Sequence, residues 1–397
     1  MEVSFEVYQI QMDTRRVTSL NSKIPGLDGL RGIAASIVVL THMSNWGYDL
    51  FPGFDFRGSG RSGVILFFVL SSFLLTSQVL NWAPRLLLSP KRWLSYFEAR
   101  VLRIWPLFIV VLIFSLVTTY LHLIPVAWHA APILRNLPVR MTWDSLYEHV
   151  LMRRGEDILW TIPVEFKFYL LLPLLLVPIL ITLRNHIKIA MLVLGAGILT
   201  ADWLIQVTDS GVSTLPFIGV FLTGILLSFV RRYDTETSGK GQSYSLFCES
   251  LAWLCFAIFV CLIPSVYLGL KGMEIPVPTE NSQSLYATLW ALMILFMLRG
   301  SGAMRRALDS TLLVFIGQIS FSLYLWHRIP LKLMHRLDYF HYADFLPHWM
   351  KGGIILFTAI GMAYLSYWII ERPVLQWKAN RKSTSARKAI QSELEPA

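Results

Sequence analysis

Long apolar blocks separated by short polar connections dominate this chain. Each block approaches the length of about 20 residues that a helix needs to cross a bilayer core of about 30 Å. Lipid offers no hydrogen-bond partner to backbone N–H and C=O groups, so the blocks are predicted to be helices. We predict ten spans, at residues 27–46, 63–80, 104–121, 158–183, 187–206, 214–230, 246–268, 284–298, 311–330 and 352–370.

The positive charges predict how these spans are oriented. With the N-terminus inside, 22 Lys and Arg residues fall in cytoplasmic segments and 10 fall in outer connections. Because positive charge favours the cytoplasmic side, we predict an all-α, polytopic transmembrane helical protein with both termini in the cytoplasm. The longest outer connection, residues 122–157, is too polar for lipid and is a candidate to lie across the outer mouth of the protein.

Composition supports a membrane domain and limits what else the chain contains. Of its 397 residues, 55% are hydrophobic and 15% are charged, against about 25% charged in a typical soluble domain. We expect one membrane domain at 27–373, a cytoplasmic N-terminal segment at 1–26 and a disordered cytoplasmic tail at 374–397. The net charge of +10 gathers at the ends of apolar blocks, which argues against nucleic acid as a partner and for membrane lipids. The three cysteines show neither metal nor disulfide spacing. Because the first 24 residues are polar, we expect no cleavable signal peptide before the first span.

The first apolar block contains ionisable residues that are candidates for function. A charge inside a span costs about 2.5–3.5 kcal/mol on insertion scales, yet this block includes Asp28, Arg31 and His42. Eleven residues turn a helix by about three full turns, so Arg31 and His42 share one face. Asp28 precedes Arg31 by three residues and can pair with it. The alternative is interface anchoring by Arg31 and structural hydrogen bonding by His42.

Two further ionisable residues are predicted at the depth of His42. At about 1.5 Å per residue from the predicted ends, Glu165 in the fourth span and His327 in the ninth fall in the same outer layer as His42. Histidine and carboxylate at one depth indicate proton handling, and hydrogen bonding between helices is the alternative. Lys167 and Arg328 are less informative, because either side chain can reach the outer interface.

Two arginines lie at the opposite side of the membrane. Arg100 and Arg103 are three residues apart at the inner end of the third span, so both point the same way. Arginine binds phosphate through planar, bidentate hydrogen bonds. Together with Arg31 this pair predicts a cationic entrance for a phosphorylated cytoplasmic donor, although simple anchoring at the inner interface explains the same spacing.

Six segments of the chain resemble, in the same order, the motifs of acyltransferase family 3. The Arg31-x10-His42 spacing matches the first motif of that family. Ser72 stands where glycine usually follows, and Phe321 replaces a common tyrosine. The matching segments are distributed from residue 27 to residue 373, which is nearly the whole chain. They are LDGLRGIAA at 27–35 with Thr41-His42, FFVLS at 67–71, RVLRIWP at 100–106, LWTIPVE at 159–165, ISFSLYLWH at 319–327 and ERP at 371–373.

The resemblance implies a ten-helix O-acyltransferase of the plasma membrane, which is the inner membrane in a bacterium. Such an enzyme transfers an acyl group, commonly acetyl, from acyl-CoA to a hydroxyl group of a sugar in a polysaccharide, lipopolysaccharide, peptidoglycan or other glycan or glycolipid. The resemblance implies that Arg31 and His42 are the essential pair of the family's first motif. Arg100 and Arg103 match its second arginine motif, and Glu165 matches a recurring acidic position. Asp28, Tyr324 and His327 lie within the matching segments as residues of structural or uncertain role.

These assignments predict a mechanism with one open step. We expect His42 to accept the proton of the acceptor hydroxyl, with Glu165 orienting or polarising its surroundings, and Arg100 and Arg103 to bind the phosphates of acyl-CoA. The acyl group then crosses either through one passage or by a covalent relay, for example on Ser71 or Ser72.

Two alternatives to an acyltransferase are open. A glycolipid or polysaccharide-precursor transporter or flippase would share the spans and buried charges but predicts an internal repeat, and none is found in the sequence. A structural or receptor-like membrane protein leaves the ionisable stripe of the first span and the arginine pair unexplained.

Overall fold

The computed structural model describes residues 24–50, 54–123, 131–183, 185–205, 212–237, 242–263 and 283–381. Regular structure in these ranges is helical throughout. The α-helices are α1 Leu27–Ser44, α2 Gly60–Leu80, α3 Pro90–Tyr120, α4 Ala131–Leu134, α5 Trp143–Val150, α6 Thr161–Thr182, α7 Ile187–Ile205, α8 Ile218–Thr237, α9 Gln242–Cys261, α10 Gln283–Arg299, α11 Ala303–Leu308, α12 Thr311–Gln318, α13 Ser320–Trp326, α14 Arg328–Tyr339 and α15 His348–Ser366.

Each predicted span overlaps one or more helices, so the all-helical class is confirmed. Among the described residues, six helices are long and apolar enough to cross a membrane, and a seventh is added if a bent pair forms one span. Two further apolar helices, Ile187–Ala201 and Gln283–Arg299, are shorter. The count of ten spans and the cytoplasmic placement of both termini stay predictions.

The ninth predicted span, 311–330, is broken in the structure. Helix α12 ends at Gln318 and the helix beginning at Ser320 turns away from it by 62°. Ile319, between them, has φ −91° and ψ 6°, which lies in the bridge region outside the α-helical dihedrals. A second interruption at His327 separates α13 from α14. The apolar pattern predicted the helices here but not the break.

Two helices extend further on the predicted inner side than the apolar blocks. Helix α3 begins at Pro90, well before the predicted start at residue 104, and proline is well suited to the first helical position. The last helix continues through a π-helical turn, Tyr367–Glu371, to Arg381, into the segment predicted as a disordered tail. The remainder of that tail, and the N-terminal segment up to residue 23, lie outside the described residues.

Glycines allow helix α1 to pack closely against α12. A Cβ added at Gly32 would lie 2.4 Å from the backbone oxygen of Leu313, and one added at Gly317 would lie 1.9 Å from that of Asp28. Both neighbours are backbone atoms, so no rotamer change would make room. The Asp-Gly-Leu-Arg-Gly segment thus fixes the approach of α1, and with it the positions of Arg31 and His42.

The outer connection predicted to cover the mouth packs against α14. Lys332 Nζ donates a hydrogen bond of 2.5 Å to the Pro138 carbonyl, and Arg336 donates one of 2.6 Å to the Ile133 carbonyl. His149 is fully buried in α5, where its Nδ1 donates to the Ser145 carbonyl at 2.7 Å and its Nε2 accepts from the Glu156 N–H at 3.2 Å. Burial lowers the pKa of His149 below its ordinary value, so the neutral ring ties the connection together.

Candidate active site

A cavity of about 1130 Å³ extends between the helices of the core. Its lining on α2 runs from Val64 to Asn81, which is about 25 Å along a helix at 1.5 Å per residue. That length is close to the hydrocarbon thickness of a bilayer, about 30 Å. Thr161 and Tyr324 line the cavity at the Val64 end, and Trp82 and Arg92 line it at the Asn81 end. The cavity is therefore a passage that runs along most of the membrane domain.

Positive charge predominates on the walls of this cavity. Two acidic side chains, Glu98 and Glu165, line it together with seven basic ones. Such an excess inside a partly closed, apolar protein attracts an anion with several negative charges. The basic lining residues are Arg31, Arg92, Arg100, Arg103, Arg231, Lys378 and Arg381.

Helix α3 supplies three of the arginines. Arg92, Arg100 and Arg103 lie on one continuous helix, and the outermost two are about 16 Å apart along its axis. The Arg100 guanidinium lies 5.9 Å from the centre of the Tyr169 ring. Its Nε is buried and makes no hydrogen bond within the described residues. An anionic ligand in the cavity would supply the acceptor that this donor lacks.

Arg31 and Glu165 belong to one electrostatic cluster. Asp28, Arg103, Glu165 and Tyr169 all interact electrostatically with the Arg31 guanidinium. Glu165 Oε1 accepts a hydrogen bond of 2.5 Å from the Tyr169 hydroxyl, and Ser71 Oγ lies 3.3 Å from the same hydroxyl. Because the Tyr169 hydroxyl donates its only hydrogen to the Glu165 carboxylate, Ser71 is the donor in the contact between Ser71 Oγ and the Tyr169 hydroxyl. The cluster is thus a hydroxyl chain ending on Glu165, on the wall of the cavity.

The last sequence motif also contacts the arginine cluster. Glu371 is buried and accepts a short hydrogen bond from Ser322 Oγ, and it interacts electrostatically with Arg103. It lies at the end of the π-helical turn, a feature common at functional sites. Glu371 therefore adds a buried negative charge that acts electrostatically on Arg103.

Two histidines form a hydrogen-bonded, nearly coplanar pair beyond the outer end of the cavity. His42 Nδ1 lies 2.8 Å from His327 Nε2, and the rings are 5.0 Å apart at 13°. Neither ring lines the cavity. Tyr324, which does line it, lies 6.0 Å from the His327 ring centre to centre, and its hydroxyl donates to the Ile158 carbonyl at 2.7 Å. Tyr324 thus both lines the cavity and adjoins the histidine pair.

An ion pair lies next to the two histidines. Arg328 Nε and Nη2 both contact Asp157 Oδ2, at 2.9 and 2.7 Å. The guanidinium also lies 5.3 Å from the Trp46 ring. Both charges act electrostatically on His42. Arg328 is therefore paired within the protein, on the predicted outer side.

The structure brings some of the predicted site residues together and separates others. His42 contacts His327, and Arg31 joins Arg100 and Arg103 on one cavity. Glu165 accepts a hydrogen bond from Tyr169 and interacts electrostatically with Arg31, and its placement at the depth of the histidines stays a prediction. Tyr169 was missed, although its spacing of four residues from Glu165 on one helix is a signal for contact. The Asp157–Arg328 pair joins residues far apart in sequence and had no such signal.

Comparison with known proteins gives an acyltransferase match over most of the chain. The family model described as an acyltransferase domain matches residues 24–370. A putative O-acetyltransferase of Staphylococcus aureus (strain COL) is 25% identical over 395 residues, which is 92% of this chain and 61% of that protein. The peptidoglycan O-acetyltransferase OatA of Listeria monocytogenes is 25% identical over 346 residues, 79% of this chain and 50% of that protein.

A second OatA protein matches over a similar region. The O-acetyltransferase OatA of Staphylococcus aureus (strain NCTC 8325) is 25% identical over 388 residues, 91% of this chain and 59% of that protein. The chain therefore spans between about half and three fifths of the length of these curated relatives. No solved structure matches it.

Proposed function

The chain belongs to acyltransferase family 3, and from that premise we propose that it transfers an acyl group, most simply acetyl, from acyl-CoA to a hydroxyl group of a sugar. The acceptor is a cell-surface or exported glycan or glycolipid, and the donor enters from the cytoplasm. The relatives are named as O-acetyltransferases, one of them for peptidoglycan, which supports an acetyl donor and a glycan acceptor.

One observation carries this proposal: a long cationic cavity leads from the predicted inner side toward a histidine pair. Acyl-CoA is a long ligand with a diphosphate and a further phosphate at one end and a thioester at the other. Phosphates suit guanidinium groups through bidentate, charge-assisted hydrogen bonds. The thioester arm is narrow and uncharged. It suits the Val64 end of the cavity, which is lined by Phe67, Thr161 and Tyr324.

The cavity supports a direct transfer in place of a covalent relay. The open question from the sequence was how a donor bound inside reaches a base outside. A passage about 25 Å long that reaches Tyr324, whose ring adjoins that of His327, favours transfer without an intermediate on Ser71. Ser72 is less suited still, because it is fully buried and its hydroxyl donates to the Phe68 and Val69 carbonyls.

His42 is the general base in this proposal. The acceptor hydroxyl gives its proton to the imidazole as its oxygen bonds to the acyl carbon, the C–S bond breaks, and coenzyme A leaves as a thiolate that takes up the proton. Glu165 keeps the Tyr169 hydroxyl and the Arg31 guanidinium in place on the cavity wall. This differs from the role beside His42 that the sequence suggested for it.

The transfer is tested with the purified protein reconstituted in liposomes. Acetyl-labelled acetyl-CoA and a peptidoglycan or polysaccharide fragment are supplied, and the fragment is examined by mass spectrometry. We expect acceptor-dependent release of free coenzyme A and a product heavier by one acetyl group, with label on a sugar hydroxyl. Movement of an unmodified glycolipid across the liposome, without coenzyme A release for any acceptor class tried, would establish a flippase and contradict the proposal.

Loss of one cavity arginine is expected to weaken donor binding. Removing a charge-assisted hydrogen bond costs about 1.5–3 kcal/mol, so Arg103→Ala should raise the KM for acetyl-CoA by roughly 10- to 100-fold. It should also remove the thermal stabilisation that coenzyme A gives. Arg103→Lys keeps the charge but not the planar fork, so its effect should be intermediate.

Arg306→Ala is the matched control for this prediction. Arg306 is exposed, lies on the same predicted side of the membrane and does not line the cavity. Its KM for acetyl-CoA should equal that of the wild type. Equal KM values for the Arg103→Ala and Arg306→Ala variants would show that the donor phosphates bind elsewhere.

A further inference from the structure

The hydrogen bonds of His327 determine where its protons lie. Its Nδ1 is 2.8 Å from the Tyr324 carbonyl oxygen and 3.2 Å from that of Leu323. A carbonyl oxygen only accepts hydrogen bonds, so Nδ1 of His327 carries a hydrogen and donates it. These carbonyls belong to the last turn of α13, where an ending helix leaves carbonyls available for side-chain donors.

A neutral His327 then accepts at its other nitrogen. With the hydrogen on Nδ1, its Nε2 holds a lone pair, so the 2.8 Å contact must be donated by His42 Nδ1. The reverse direction would make His327 a cation. Its side chain is only 1% exposed and interacts electrostatically with the Arg328 guanidinium, and burying a second positive charge there is costly.

The direction of these bonds leaves one nitrogen of His42 ready for chemistry. A neutral His42 that donates from Nδ1 has its lone pair on Nε2. That atom makes no hydrogen bond within the described residues, and His42 is partly exposed. In the other tautomer, Nε2 would carry a hydrogen and would be unable to accept a proton.

We propose that His327 is a positioning residue, which holds His42 in the tautomer with Nε2 unprotonated and thereby makes it a competent base. This inference rests on the proposed function. When the acceptor hydroxyl transfers its proton to His42 Nε2, the Nδ1–H bond to His327 is retained. The imidazolium is then stabilised without any change in the protons of His327, and the thiolate leaving group finally takes the proton away.

Tyr324 holds the supporting carbonyl in place. Its hydroxyl donates to the Ile158 carbonyl at 2.7 Å and accepts from Thr161 Oγ1 at 3.0 Å. The residue is therefore fixed at both its backbone and its side chain. Hydrogen bonds thus run from His42 to His327 and from His327 to the Tyr324 carbonyl, and the Tyr324 side chain is bonded to the start of the fourth predicted span.

Two amide variants of different length test this role. In His327→Gln the amide oxygen reaches the position of Nε2 and can accept from His42, whereas in His327→Asn the shorter amide reaches only the position of Nδ1. We expect the glutamine variant to keep kcat within about tenfold of the wild type. The asparagine variant should lose about 10²-fold, the lower end of the range for general-base catalysis. The KM for acetyl-CoA and the thermal unfolding midpoint should be alike in both.

The split between the two variants separates positioning from packing. A purely structural histidine predicts that activity follows the unfolding midpoint in both variants, with no selective rescue by glutamine. If the asparagine variant is not recovered folded, His327→Leu, which has no acceptor, replaces it in the comparison. The inference would be overturned if kcat of His327→Gln were equal to, or lower than, kcat of the variant it is compared with, which is His327→Asn or, in its place, His327→Leu.

A His42→Ala variant measured in the same assay distinguishes failure of the proposed role of His42 from failure of the positioning role of His327. If His42→Ala still transfers acetyl at the wild-type rate, the proposed function of His42 fails. If that variant is inactive while His327→Gln and His327→Asn match each other, the general base stands and only the positioning role of His327 is lost.

Discussion

Acetyl transfer is expected to fall by about 10²–10⁴-fold when His42 is replaced by alanine. That range is the usual contribution of a general base, and His42 Nε2 is the base that the hydrogen-bond directions leave free. The loss should be in kcat, because His42 does not line the cavity in which the donor is proposed to bind. The thermal stabilisation by coenzyme A should therefore persist in the variant.

His341→Ala is the control for the His42 variant. His341 lies on the outer turn after α14 with a side chain that is 82% exposed, so its removal should leave kcat unchanged. The assay is the labelled transfer in liposomes, normalised to folded protein recovered by size exclusion. A His42→Ala variant that forms product at the rate of the His341→Ala variant would show that another group deprotonates the acceptor.

For the site residues, the sequence is a better guide to depth in the membrane than to which side chains contact one another. Counting residues along a helix gives one coordinate, the height in the membrane, and this coordinate put His42 and His327 together as the structure does. It also put Glu165 there, but it did not identify the partners of Glu165, which are the Tyr169 hydroxyl and the Arg31 guanidinium. The direction in which a helix faces depends on its packing partners, and the apolar pattern of α6 does not single out one face.

The positions of the hydrogens on the two histidine rings could not be predicted from the sequence, for a different reason. It depends on backbone carbonyls of Leu323 and Tyr324 that accept from a ring where α13 gives way to α14. Sequence periodicity predicted one continuous span here. The interruption at His327 is not marked by glycine, and Pro330 follows it only within α14.

The glycines of the first motif have a packing role that pattern matching alone does not supply. In the sequence they are part of the resemblance to a family. In the structure they let the backbone of α1 approach that of α12 so closely that carbonyl oxygens occupy the space of a Cβ. The motif thus combines reactive residues with the contacts that position them, since Arg31 adjoins Gly32 on the same turn.

Replacing Gly32 with alanine is expected to destabilise the protein despite the better helix propensity of alanine. Alanine favours a helix interior by about 1 kcal/mol over glycine. The new Cβ would meet the Leu313 carbonyl oxygen at 2.4 Å, and overpacking of this kind typically costs about 1–3 kcal/mol or more. Because the obstacle is backbone, α1 and α12 must separate, so the net effect should be a clearly lower unfolding midpoint and weaker coenzyme A binding.

Gly361→Ala is the matched control, and it makes the comparison decisive for the whole site. Gly361 lies inside α15, where an added Cβ meets no described atom within 4 Å, so the same substitution should leave the unfolding midpoint unchanged or raise it. If the Gly32 variant behaved like the Gly361 variant, α1 would not pack on α12 as described. Arg31 and His42 are carried by that one helix, so neither the cavity charge nor the contact with His327 would then be placed correctly.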